Sequence, residues 1–206
     1  MTTDLAAVRR RRVGIFGGTL DPIHSGHLCA ASEVMGKLGL DEVIFVPTGV
    51  PSHKIGQDVT AAEHRYTMVQ LAIASNPRFS ASRVDLDRGK PTYTFDTLTD
   101  LRAELGDDVE LFFITGADVV AAIPTWKNAD GLFDLAHFVA VSRPDHEVCL
   151  DGLPAGKVTA CHTPALAMSS TEIRRRVAAD EPVWYWLPDT VLTYIGKHHL
   201  YGADWS

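Results

Sequence analysis

Cysteine is scarce. The 206 residues contain Cys29, Cys149 and Cys161, widely spaced and without a CxxC pair, which excludes both a disulfide framework and a zinc ribbon and suits a reducing compartment. Long apolar runs are missing too, since no window reaches the eighteen or so apolar residues of a membrane span. The first residues, MTTDLAAVRRRR, place their arginines after a weakly apolar part and lack the apolar segment of a secretory signal. Residues 1–12 therefore read as a flexible basic lead-in, and the expected location is cytoplasmic with no membrane partner. Positive charge is also in deficit: 19 Lys and Arg stand against 26 Asp and Glu, a net charge of -7. That balance excludes a general nucleic-acid binder, whose affinity comes from clustered cations. Any anionic ligand must be met locally. Neither a GxGxxG fingerprint nor a GxxxxGK[ST] P-loop occurs.

What is present is the composition of a globular domain, 46% hydrophobic and 22% charged. Apolar runs of strand length (Val13 to Phe16, Glu42 to Val46, Phe79 to Ala81, Val109 to Thr115, Phe138 to Ser142) alternate with helical patterns (Leu28 to Leu38, Ala61 to Ala74, Phe95 to Leu105). This rhythm predicts βαβ units: a doubly wound α/β fold, a Rossmann-like parallel sheet with helices on both faces, binding ligands at the carboxyl ends of its strands. Pro47 to Thr60 and Pro144 to Lys157 read as loops. Residues 13–206 form a single domain, with a small helical C-terminal extension from about Pro182.

The stretch GIFGGTLDPIHSGHL, Gly14 to Leu28, stands at the end of the first strand. Gly17, Gly18 and Thr19 let a ligand approach the main chain. His24 and His27 fall at the mouth of the next helix and share a face at i, i+3, with Gly26 leaving room between them. Helix N-terminal N–H groups suit phosphate, and two imidazoles add directed donors. A purely structural pair is one alternative; a metal-binding HxxH is another, although zinc needs further ligands in a recognisable pattern. No metal site is assigned. In MSSTEIRRR, Met168 to Arg176, Ser169 and Glu172 have capping-box spacing. Ser170, Thr171 and Arg174 add hydroxyls and a cation one turn on, while Arg175 and Arg176 turn away as surface charges.

GGTLDPIHSGHL resembles the HxGH motif of nucleotidylyltransferases, in the form GGTFDPIHxGHL of bacterial nicotinate-nucleotide adenylyltransferases, with Leu20 in place of Phe. Ser169 to Arg174 resemble the second signature of that family, SSTxIR. Gly116 to Trp126 resembles its GADxxxxxxxW, Lys90 to Leu98 its PSYTxDTL, and Pro51 to Lys54, His64 to Met68 and Leu187 to Tyr201 are similar to further stretches. The resemblance spans nearly all of the chain from Val13. It implies transfer of the adenylyl group of ATP to nicotinate mononucleotide, giving the dinucleotide and pyrophosphate in NAD biosynthesis.

By the same resemblance, His24, His27 and Arg174 act on the phosphates. Gly17, Gly18, Thr19, Gly26, Ser169, Ser170 and Thr171 bind ATP, and Lys54, Thr94, Asp118 and Trp126 serve the mononucleotide. Trp126 taken alone reads equally as core filling, and Lys54 as a solvated loop lysine. Val119 replaces the amide of the usual GADN, so no role is carried over to that side chain. No covalent nucleophile is needed, because a mononucleotide phosphate is already ionised. The expected ion is Mg²⁺, held chiefly by triphosphate and water. Sibling enzymes acting on nicotinamide mononucleotide or phosphopantetheine, and a non-catalytic nucleotide sensor, are the alternatives. A homo-oligomer is compatible with the sequence but has no signature in it.

Overall fold

The computed structural model describes residues 9–51, 59–142, 148–164 and 168–205. Among them the strands are β1 (Arg11–Gly18), β2 (Glu42–Pro47), β3 (Val50–Pro51), β4 (Phe79–Ala81), β5 (Pro91–Thr92), β6 (Val109–Gly116), β7 (His137–Ser142) and β8 (Val158–His162). Six form one sheet in the order β4-β2-β1-β6-β7-β8, with every neighbouring pair parallel, while β3 and β5 make a separate short ladder. The helices are α1 (Ser25–Leu38), α2 (Ala62–Ile73), α3 (Thr94–Leu105), α4 (Ala117–Val120), α5 (Ala129–Leu135), α6 (Ser170–Ala178) and α7 (Asp189–Lys197).

Strand side chains alternate between faces, and here each face meets its own helices. On β1, Val13 and Ile15 join a buried cluster with Leu98 and Leu101 of α3 and Leu132 and Phe133 of α5. Phe16 joins the opposite cluster, with Val34 of α1, Met68 of α2, Ile173 of α6 and Ile195 of α7. β6 divides likewise: Leu111 and Phe113 to the first cluster, Phe112 and Ile114 to the second. With both faces covered, the strands read as nearly continuous apolar runs, the mark of a buried parallel sheet.

The winding reverses between β1 and β6. The chain builds outward from β1 through β2 to β4, then returns to the other side of β1 and builds outward again through β7 to β8. α1, which follows β1, and α3 and α5, which flank β6, lie on opposite faces, so a crevice opens outside the carboxyl ends of these two central strands.

Several boundaries differ from the sequence expectation. β1 begins at Arg11, so Arg11 and Arg12 belong to the sheet rather than to the basic lead-in. They pair in register with Val109 and Glu110, and Arg12 lies over the Phe112 ring with its carbon 4.6 Å from the centroid. Arg9 also pairs with Asp41. α1 starts at Ser25, three residues before the apolar pattern, because His24 serves as N-cap. Several elements had no counterpart in the sequence pattern: the half-exposed edge strand β8, the short helices α4 and α5, and the ladder strands β5 and β3, the latter inside the stretch read as a loop. The C-terminal helix α7 is an integral part of one core face, burying Val191, Leu192 and Ile195.

Gly49, just after β2, allows the closest backbone approach beside the crevice: a Cβ there would sit 2.2 Å from the carbonyl oxygen of Asp85. Gly36 in α1 has nothing within 4 Å of the equivalent position. Gly49→Ala is therefore expected to lower stability by about 1–3 kcal/mol through overpacking, and Gly36→Ala to raise it by about 0.5–1 kcal/mol. Urea unfolding of the two variants checks the contrast.

Candidate active site

A cleft of about 780 Å³ occupies the crevice between β1 and β6. Gly17 and Gly18 end β1 on its floor, and the missing side chain at Gly17 is filled by the Phe113 ring of β6, 2.9 Å from where a Cβ would stand. Beyond them the chain turns through Leu20 and a cis Asp21–Pro22 bond into α1. His24, only 5% exposed, stacks on His27 with ring centroids 3.7 Å apart, and both line the cleft. Gly26 underlies this stack: a Cβ would fall 3.0 Å from Nδ1 of His24.

One hydrogen bond decides the chemistry of His27. The backbone N–H of His24 donates to its Nδ1 at 3.2 Å, so that nitrogen carries the lone pair and the proton of the neutral ring resides on Nε2. Burial, with the neighbouring His24 imidazole adding to it, holds the pKa of His27 well below the ordinary histidine value. His27 thus presents a neutral Nε2–H donor at neutral pH.

The start of α6 meets the same turn. Ser169 caps the helix by accepting from the N–H of Glu172 at 3.2 Å. The Glu172 carboxylate instead binds Arg175 and Arg176, and Arg175 also grips Glu181. Ser170 Oγ donates to the Pro22 carbonyl at 2.9 Å, and Arg174 donates to the Asp21 carbonyl at 2.6 Å. Ser169 and Ser170 line the cleft, whereas Thr171 and Arg174 do not; Arg174 is engaged with the turn behind it.

The facing wall comes from β6 and α3. Gly116 caps α4, and Asp118 and Val119 follow it into the lining. Trp126 lies edge-on to Phe113 at 6.4 Å and borders both cleft and core. Thr94 is the first residue of α3, so the open N–H groups of that helix start face the cleft with it.

The structure therefore brings Gly17, Gly18, Thr19, Gly26, both histidines, Ser169, Ser170, Thr94, Asp118 and Trp126 to one cleft. Lys54 lies outside the described residues. Sequence reasoning missed three groups. Asp85 is 4% exposed on the cleft wall; burial raises its pKa to about 6 against the pull of Thr97 Oγ1, 2.7 Å away, and Arg88. Lys127 follows Trp126 and pairs with Asp96. Arg65, 1% exposed, donates to the carbonyls of Thr60, Thr19 and Gly49 at 2.8, 2.8 and 2.9 Å. Of these only Arg65 had a signal, inside the family-like stretch His64 to Met68.

Comparison with known proteins agrees with this geometry. The family model for cytidylyltransferase-like proteins matches residues 15–176, which makes the chain a nucleotidyltransferase of that class. It is 58% identical to a protein of Clavibacter sepedonicus named as a probable nicotinate-nucleotide adenylyltransferase, over 98% of each chain. It is also 58% identical to a protein of the same name from Streptomyces coelicolor, over 91% of this chain and 100% of that one. At that identity and coverage the chain belongs to the nicotinate-nucleotide adenylyltransferase family. The fold is shared with the nicotinic acid mononucleotide adenylyltransferase of Plasmodium falciparum, solved in complex with NaAD, at a TM-score of 0.79 and 20% identity, covering 95% of this chain and 100% of that one.

The lowered pKa of His27 makes stability depend on pH. Below about 6.5 the unfolded chain takes up a proton that the folded ring refuses, so this residue withdraws stability as pH falls, approaching about 1.4 kcal/mol per pH unit. Urea unfolding from pH 7.5 to 5.5 should show a steeper decline for the native protein than for His27→Gln.

Proposed function

We propose that the protein transfers the adenylyl group of ATP to nicotinate mononucleotide. A phosphate oxygen of the mononucleotide attacks the α-phosphorus of ATP, the bond to the β-phosphate oxygen breaks, and nicotinate adenine dinucleotide and pyrophosphate leave. The observation that carries this reading is the convergence of two phosphate-type elements, His24 to His27 and Ser169–Ser170, opposite Asp118, Trp126 and the start of α3 across one cleft. The names of the relatives at 58% identity support the same substrates.

With an attacking group already ionised, catalysis reduces to alignment and to stabilising charge on the transferring phosphoryl group. His27, neutral with its proton on Nε2, donates to oxygens of the α- and β-phosphates without the desolvation cost of a buried cation, and His24 stacks beside it as the second donor. Gly17, Gly18, Thr19 and Gly26 keep the main chain close to the phosphates. Ser169, Ser170 and Thr171 offer the donors at the start of α6. Arg174 holds the Asp21 turn at rest and reaches the β- and γ-phosphates by exchanging that carbonyl for phosphate oxygen.

Opposite them, Trp126 stacks on the pyridine ring, Thr94 and the N-terminal N–H groups of α3 receive its carboxylate, and Asp118 lies where the two substrates meet. Among the described residues no three His, Cys, Asp or Glu side chains converge as a metal site. Mg²⁺ would enter with ATP, held chiefly by triphosphate oxygens and water, and would supply charge neutralisation to the leaving pyrophosphate. No helix among the described residues is long and apolar enough to cross a membrane, and the three cysteines are unpaired; a cytoplasmic site of action accords with both.

Pyrophosphate release from ATP and Mg²⁺, with nicotinate mononucleotide as acceptor, tests the reaction; no release sinks it. His27→Ala should lower kcat by roughly a hundredfold or more, the loss of one transition-state donor, with the fold retained by circular dichroism. Trp126→Ala should instead act chiefly on KM for the mononucleotide. An unchanged KM would assign the indole to core packing.

A further inference from the structure

Among the described residues that line the cleft, Lys127 is the one lysine or arginine, facing a wall whose carboxylates, Asp85 and Asp118, carry the opposite charge. Its Nζ lies 2.9 and 3.1 Å from the two carboxylate oxygens of Asp96 and 4.8 Å from the centroid of the Tyr93 ring. Tyr93 is the N-cap of α3 and Asp96 its third residue. The ammonium is thus held at the mouth of the helix whose first residue, Thr94, faces the cleft, one residue along from Trp126.

Neutral donors at that end discriminate weakly between an acid and its amide. Peptide N–H groups bond the oxygen of either. The Thr92 hydroxyl, buried in the same wall and without a hydrogen-bond partner among the described residues, can likewise serve either. A fixed cation separates the two by a whole unit of charge, attracting a carboxylate and gaining little from a neutral amide.

We propose that Lys127, held over Tyr93 by Asp96, is a specificity-determining residue that selects a mononucleotide whose ring bears a carboxylate over its amide counterpart. This assignment rests on the adenylyl-transfer reading above and names the group that sets its acceptor. Asp96 keeps the ammonium at the helix mouth while the cleft is empty and shares it with the ring carboxylate on binding. The pair is half exposed, with side-chain exposures of 49% and 26%, so as a surface ion pair it adds little to stability. Its removal is therefore readable as selectivity rather than as unfolding.

The test is steady-state kinetics of the full chain with ATP and Mg²⁺, measuring kcat/KM separately for nicotinate and nicotinamide mononucleotides in the native protein, Lys127→Gln, Lys127→Arg and Asp96→Asn. Lys127→Gln should lower kcat/KM for the acid roughly tenfold to a hundredfold, the worth of one charge-assisted hydrogen bond. The value for the amide should stay within about twofold, the scatter of a surface substitution. Lys127→Arg should restore most of the preference, and Asp96→Asn should keep or sharpen it. An equal loss with both mononucleotides would make the pair a support for α3 and overturn the assignment, as would an unchanged ratio. Native protein that turns over neither mononucleotide would defeat the adenylyl-transfer reading itself, and this assignment with it.

Discussion

A buried guanidinium holds the cleft in shape. Arg65 directs Nε, Nη1 and Nη2 at the carbonyls of Thr60, Thr19 and Gly49, so one planar fork joins the glycine loop after β1, the turn after β2 and the entry to α2. A lysine at this position would offer a point charge in place of the fork. Burial lowers the pKa of Arg65, and the nearby Asp21 charge counters that shift. Asp21 extends the network: its carboxylate accepts from the Thr60 N–H at 3.1 Å and the Tyr201 hydroxyl at 2.6 Å, and its carbonyl accepts from Arg174. Segments from the beginning, middle and end of the chain are thereby tied to one turn, directly behind the two histidines.

That arrangement shows how a chain with a net charge of -7 can receive two phosphorylated substrates. Little free positive charge is spent on the wall. In the proposed reaction, backbone N–H groups at the starts of α1, α3 and α6, a neutral imidazole donor and serine hydroxyls would supply most polar contacts, while Arg65 works behind the surface on carbonyl groups and Arg174 holds the Asp21 carbonyl in the structure. Preoriented dipoles need no reorganisation when charge moves during the reaction.

The parts legible in the sequence were those whose meaning is local. Gly17–Gly18 after an apolar run, the two histidines at helical spacing, the serine cap of α6 and the strand preceding Asp118 each declare themselves within a dozen residues, and the fold follows from their alternation. What stayed hidden depends on residues distant in the chain. Asp85 acquires its raised pKa only because the fold buries it, against the opposing pull of Thr97 and Arg88, and the Lys127–Asp96 pair spans 31 positions. Arg174 illustrates the converse: its helical phase with Ser170 was readable, but not the adjacent Asp21 and Pro22 carbonyls to which the two residues donate. β8 escaped because, at the sheet edge, it fully buries only Cys161, so its residues carry no apolar run.

His24 has two roles that are joined. It is the N-cap of α1, in a reciprocal capping box with His27, and its own N–H orients the imidazole of that residue. The protonation pattern of His27 and the first turn of the helix are consequently a single event: fraying of that turn would let the proton migrate to the other nitrogen.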